Sequence, residues 1–145
     1  MVSLFKREGI SFRYPENWQL EREESDNGWT VLLQSPGSAF LLLTFDESMP
    51  LAEEMADAAL EALRADYPDL EAEDRIEKFA GQMAIGHDIN FLVSRINHDL
   101  TNTCWTRSFS SDTGTVLVLC QANDLELEEY GPVLRAVCAS LTVEE

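Results

Sequence analysis

The chain has 145 residues, 45% of them hydrophobic and 26% charged, the make-up of one folded domain with a core of its own. Ten Lys and Arg face 27 Asp and Glu, a formal net charge of −17. Such a surface repels phosphate backbones and anionic lipid, which disfavours nucleic-acid binding and electrostatic membrane docking and would attract a basic partner.

No apolar run approaches the roughly 18 residues of a membrane span. The longest, Ala39 to Leu43, is the length of a strand. The opening MVSLFKREG has no apolar core of signal-peptide length, so the expectation is a cytoplasmic protein. Cys104, Cys120 and Cys138 are odd in number and lack C-x-x-C spacing. In a reducing compartment they read as small buried side chains and not as a disulfide framework.

Taken in chain order, Ile10, Phe12 and Tyr14 alternate with Ser11 and Arg13, and Trp18 and Leu20 alternate with Gln19, Glu21 and Glu23. Pro15-Glu16-Asn17 between them is turn chemistry, so GISFRYPENWQLEREES predicts two strands and a corner. Ser25-Asp26-Asn27-Gly28 leads into a strand at 28–34, and Pro36-Gly37 into another at 38–46. Both have apolar residues on two faces, as central strands covered on both sides would.

The period then changes. Pro50 to Asp66 is rich in Ala, Leu and Glu, with Leu51, Met55, Ala59 and Ala62/Leu63 at helical spacing and Pro50 suited to the first turn. Tyr67-Pro68 ends that helix. Strands follow at 71–79 and 83–95 around Ala80-Gly81-Gln82, then at 101–109 and 115–122, with turns at Asn97-His98-Asp99 and Ser111-Asp112-Thr113-Gly114. In the second of these, Met83, Ile85, His87, Ile89, Phe91 and Val93 share one face, and Ala84, Gly86, Asp88, Asn90 and Ser94 the other. Asp124 is placed to cap a last helix carrying Leu127, Tyr130, Leu134, Val137 and Leu141, with a kink or a short first turn at Gly131-Pro132. The order predicts an α+β sandwich: a mostly antiparallel, curved sheet of seven to eight strands in two meanders, its apolar flank covered by both helices.

The corner formed by Phe12, Tyr14, Pro15 and Trp18 resembles the "YP-x-x-W" corner at the start of PsbP-like domains, including their DcrB-like branch. The PLAEE helix start, the turn at Ala80-Gly81-Gln82 and Ser140-Leu141 near the end of the last helix are similar to other points of that superfamily. The resemblance runs through nearly the whole chain in element order. It implies a fold whose members include extrinsic subunits of photosystem II, a Ran-binding nuclear import factor and chaperones of type VI secretion effectors. What these share is protein binding without catalysis. The chain carries neither a thylakoid-targeting segment nor an Asp-x-Ser/Thr pattern at the end of its second strand, so no binding residue is transferred from any of them.

Chemistry-bearing residues are few. Cys104 has His87-Asp88 on the preceding strand and His98-Asp99 in the hairpin turn, but a thiol nucleophile needs a base in reach and a lowered pKa. The hairpin register that decides this is not legible, and no glycine-rich nucleophile turn surrounds Cys104. His87, on an apolar face, fits a histidine bonded to a neighbouring side chain better than a ligand for metal. Five scattered Cys and His do not converge as a zinc site needs. The carboxylates Glu21-Glu23-Glu24-Asp26 and Glu71-Glu73-Asp74 lack EF-hand spacing. Glu126-Glu128-Glu129 complements the dipole of the last helix. GxxxxGK, GxGxxG and GxSxG are all absent from the sequence.

The sequence therefore predicts a non-catalytic, cytoplasmic domain without cofactor or metal. It would bind another protein through an exposed sheet face or a sheet–helix groove. Monomer and homodimer are both open. Trp29, Trp105 and Arg107 are the contact candidates, because Trp and Arg dominate interface energetics, although plain core packing is the favoured account of both tryptophans. An alternative is a small-molecule pocket between sheet and helix lined by Trp105, Phe91 and His87. A third is a thiol enzyme built on Cys104.

Overall fold

The computed structural model describes residues 1–94 and 99–144. In chain order the elements are β1 (Val2–Arg7), β2 (Ile10–Pro15), β3 (Gln19–Ser25), β4 (Gly28–Gln34), β5 (Phe40–Asp46), α1 (Ala52–Asp66), β6 (Glu71–Phe79), β7 (Gln82–Ser94), β8 (Asp99–Ser110), β9 (Thr115–Asn123), α2 (Leu127–Ser140) and β10 (Thr142–Val143). The expected turn at Asn97-His98 lies outside the described residues.

Two antiparallel sheets form. One has seven strands in the order β3-β4-β5-β9-β8-β7-β6, and the other has three, β1-β2-β10. Of the first expected meander, four strands up to Asp46, only β3-β4-β5 lies in the large sheet, and it meets the second, β6-β7-β8-β9, where β5 pairs with β9 from Phe40↔Gln121 to Asp46↔Thr115. The small sheet is the departure from the expected order. β1 and β2 are joined by Glu8 and Gly9, both at positive φ (50° and 83°), the geometry of a tight hairpin turn. Pro15-Glu16-Asn17 does turn the chain, but from the small sheet into the large one. The Trp18 backbone N–H donates to the Pro15 carbonyl at 3.1 Å, and its ring meets Tyr130 edge-on with centroids 5.8 Å apart. The proline and tryptophan thus build a corner between two layers.

Alternation along the strands divides the core in two. Trp29, Val31, Leu33, Leu41, Leu43, Phe45, Val116, Val118 and Cys120 point to one face, where β2, the Leu134, Val137 and Cys138 side of α2, and Leu141 just after the helix cover them. Ile89, Phe91, Cys104 and Leu119 point to the other, beneath Leu60 and Leu63 of α1. The helices therefore lie on opposite faces, not together on one flank, because β4, β5 and β9 are apolar on both sides.

The helix ends differ from expectation in detail. α1 starts at Ala52, one turn-step after Pro50, and its deepest residues are Ala56 and Leu60, so the buried stripe is rotated from the one headed by the exposed Leu51. α2 runs unbroken through Pro132. Asp124 does not cap it; the Asn123 side-chain carbonyl accepts from the N–H groups of Leu125 and Glu126, each at 3.0 Å. Glu126 in turn accepts from the Ser38 backbone N–H at 2.9 Å and from the Ser38 hydroxyl. That contact fastens the β4–β5 turn to the start of α2, beyond any dipole role.

Candidate functional site

The face that α2 and the small sheet cover near β4, β5 and β9 is left open over β8, β7 and β6. The result is a groove of about 850 Å³. Its floor is the sheet, its inner wall the C-terminal half of α2 with β10, and its outer bank the edge strand β6 with the Ala80-Gly81 turn.

Register explains which side chains meet there. Trp105 pairs with Asp88, and Arg107 with Gly86, which on its other side pairs with Arg75. Gly86 has no side chain, so the two guanidinium groups flank an empty position and reach Asp88 two residues along the same face. Arg107 donates from Nε to Glu77 Oε1 at 2.7 Å, from Nη2 to Asp88 Oδ1 at 3.0 Å and from Nη1 to the Thr106 carbonyl at 2.7 Å. Arg75 Nε lies 2.8 Å from Asp88 Oδ2, and its Nη2 donates to Glu73 at 2.9 Å. The floor thus carries an alternating ladder, Glu77–Arg107–Asp88–Arg75–Glu73. The carboxylates of Asp88 and Glu73 raise the Arg75 pKa further above its ordinary value.

On the inner wall Arg135 stacks over Trp105, its Cζ 4.8 Å from the ring centroid, and makes no ion pair among the described residues. Beside them lies the buried thiol of Cys138, in contact with that of Cys120.

Of the residues named from the sequence, Trp105 and Arg107 line this groove. Trp29 does not: it is buried, stacked on Phe45 with centroids 5.3 Å apart and beneath Arg7, and its indole N–H donates to Glu8 at 3.3 Å. Phe91 and His87 are on the opposite face. Phe91 packs on Tyr67 below α1, at 4.4 Å between centroids. The pocket expected to join Trp105, Phe91 and His87 is therefore split by the sheet itself.

His87 is held as a bonded histidine. Its Nδ1 is 3.0 Å from Asp74 of β6, its Nε2 3.1 Å from Asp57 of α1, and its backbone N–H donates to Thr106 Oγ1 at 3.0 Å. It ties helix to edge strand. Both aspartates are mostly exposed and rehydrate when the ring is removed, so His87→Ala should cost only about 1–2 kcal/mol. Urea denaturation checks the magnitude, and faster amide exchange along β6 should accompany it.

Cys104 is fully buried, and burial alone pushes its thiol up to about 12. A thiol kept protonated in the core lacks the thiolate that attacks, which counts against Cys104 as a nucleophile. The other proposed base, His98, lies outside the described residues. Among the described residues no group of three or more His, Cys, Asp or Glu is placed to hold a metal ion.

Sequence reasoning missed Asp88, Glu73, Glu77, Arg135 and Cys138 as groove residues, and Arg75 as the ion-pair partner of two of them. A signal existed for some. Glu73, Arg75 and Glu77 alternate in sign at a spacing of two, which places them on one strand face, and Cys138 falls four residues after Leu134 on the buried stripe of α2.

No family model matches the sequence, and no curated protein matches it. Solved structures do. Cyanobacterial PsbP (CyanoP) from Synechocystis sp. PCC 6803 superposes with a TM-score of 0.67 at 13% identity, over 99% of this chain and 92% of that one. LpqN of Mycobacterium tuberculosis, involved in cell envelope biogenesis, gives 0.55 at 14% identity, over 100% and 91%. PA94 of Pseudomonas aeruginosa, a protein of unknown function, gives 0.52 at 14% identity, over 99% and 98%. Shared architecture over essentially full length, at identities this low, establishes the fold alone: this chain has the α+β sandwich fold of cyanobacterial PsbP.

Proposed function

We propose that the chain is a non-catalytic, cytoplasmic binding domain that holds a basic segment of another protein in the groove over β6, β7 and β8. The observation that carries this reading is the open half-face of the sheet, walled on one side only and floored by Trp105 and Arg107. Its outer bank is acidic: Glu73 and Glu77 of β6 remain largely exposed despite their ion pairs. The rest of the molecule carries the same sign, at −17 overall, so a segment bearing Lys or Arg is steered there and one bearing phosphate or carboxylate is repelled. A small-molecule site is disfavoured because its polar groups ought to converge on the ligand. Here the floor groups converge on one another.

The test is selection of peptides from a random library on the intact protein. Enrichment of Lys and Arg next to an aromatic or aliphatic residue is expected. Affinity for the selected peptides should fall at least about tenfold in Trp105→Ala, as loss of a central Trp contact does, and should weaken with added salt. Acidic or charge-neutral winners, or binding indifferent to Trp105→Ala and to the exposed pair Glu73→Lys/Glu77→Lys, would overturn the proposal.

A further inference from the structure

Cys120 of β9 and Cys138 of α2 meet beneath the inner wall of the groove, Sγ to Sγ 3.7 Å, both reduced. Two sulfurs in contact are not by themselves a device, but their surroundings differ. Cys120 is sealed in the core at 0% exposure, whereas Cys138 reaches the groove lining at 8%. The positive groups nearest the pair are on the groove side, Arg107 from the floor and Arg135 from the wall, with the Trp105 ring between. The third thiol, Cys104, points to the opposite face under α1 and takes no part. We propose that Cys120 and Cys138 form a redox-sensitive pair that closes to a disulfide on exposure to a hydroperoxide, with Cys138 the sulfur oxidised first.

The two thiols are biased in opposite directions. A hydrogen bond from the Cys120 thiol, and then the Trp105 indole and the positive charges of Arg107 and Arg135, hold the Cys138 thiol below the ordinary cysteine range against the desolvation that opposes them. Burial pushes Cys120 well above it. The thiolate is the nucleophile, so the accessible member of the pair is also the activated one.

In the first step Cys138 Sγ attacks the terminal oxygen of the hydroperoxide. The O–O bond breaks, the alcohol (water, from hydrogen peroxide) leaves with the thiol proton, and Cys138 becomes a sulfenic acid. In the second, Cys120 Sγ attacks that sulfur. The S–O bond breaks and the hydroxide departs as water with the Cys120 proton. Two thiols are oxidised by two electrons, and one hydroperoxide is reduced to an alcohol and water. From contact at 3.7 Å, a bond of about 2.05 Å asks each sulfur to move roughly 0.8 Å. Closure fastens the C-terminal turn of α2, part of the inner wall, to β9, so the oxidation state is written into the groove wall.

Trypsin places the three cysteines on separate peptides, 96–107, 108–135 and 136–145, which makes the pairing readable by mass. The folded protein treated with a small molar excess of hydrogen peroxide should yield the 108–135 and 136–145 peptides as one disulfide-linked species, lost on reduction. In Cys120→Ser a dimedone adduct should accumulate on Cys138. Without oxidant, iodoacetamide should modify Cys138 of the wild-type protein at least about tenfold faster than Cys104. Linkage that involves Cys104, appears only after denaturation, or fails to form in the folded wild-type protein overturns the proposal. The wild-type measurements decide it even if the variant does not fold.

Discussion

Gly86→Val is expected to destabilise the protein by more than about 3 kcal/mol, the largest effect of any single substitution in the groove, because the new side chain has nothing soft to displace. A Cβ at position 86 would lie 1.8 Å from the Thr106 carbonyl oxygen, 2.6 Å from its carbon and 3.2 Å from Arg107 Cα. All three are backbone atoms of β8, a strand paired on both sides. Relief requires β7 and β8 to separate where both guanidinium groups depend on the vacancy. Gly86→Ala already meets the same three atoms, so the damage begins with the first carbon. A fall in the urea midpoint with little change in slope measures it. A loss below about 1 kcal/mol would mean that the strands are not this close.

The second large effect is expected from a pair of substitutions. The Arg107 side chain is 7% exposed, and its charge is balanced by Glu77 and Asp88. In Glu77→Ala the guanidinium keeps Asp88, and in Asp88→Ala it keeps Glu77. Each single change should therefore cost only about 1.5 kcal/mol, the low end for one hydrogen bond to a charged group. The double variant leaves a buried cation with only the Thr106 carbonyl, and the cost should rise to about 3–5 kcal/mol, beyond the sum of the single losses. Arg107→Met in that background should recover part of the loss, since it removes the stranded charge and keeps an unbranched apolar stem. Additive single effects and no rescue would mean that Arg107 is better hydrated than its burial implies.

Much of this arrangement was legible in the sequence where the cause is local. The alternation of β7 assigned its two faces correctly, placing His87, Ile89 and Phe91 together and Gly86, Asp88 and Asn90 opposite them, because side-chain direction has a period of two. The α1 helix and the strands around Pro36-Gly37 and Gly114 follow from propensity and turn chemistry. The pairing of faces between strands was not legible. Whether Trp105 joins His87 or Asp88 depends on a one-residue choice of register in the β7–β8 hairpin, and a slip of one exchanges every side chain of a strand between faces. Non-local contacts were equally hidden. β10 is two residues long and gains its identity from Ser11 and Ile10 near the other end of the chain, a partner no window of sequence reveals. β1 directs Phe5 inward and leaves Val2 and Leu4 exposed, so it lacks an apolar face strong enough to announce a strand. The site followed the same rule. Trp105 and Arg107 were visible by residue type, while the ladder through Asp88 and the stack of Arg135 arise only when register and helix docking bring separate segments together.

The groove as the seat of a basic peptide is tested most directly by NMR titration of the isotopically labelled protein with a library-selected peptide. The account predicts shifts at the Trp105 indole N–H, at the guanidinium groups of Arg107 and Arg135, and along the backbone of β6, with Trp29 and the α1 face unchanged. Shifts centred on α1, on the β3 edge or on the small sheet, with Trp105 silent, would contradict it.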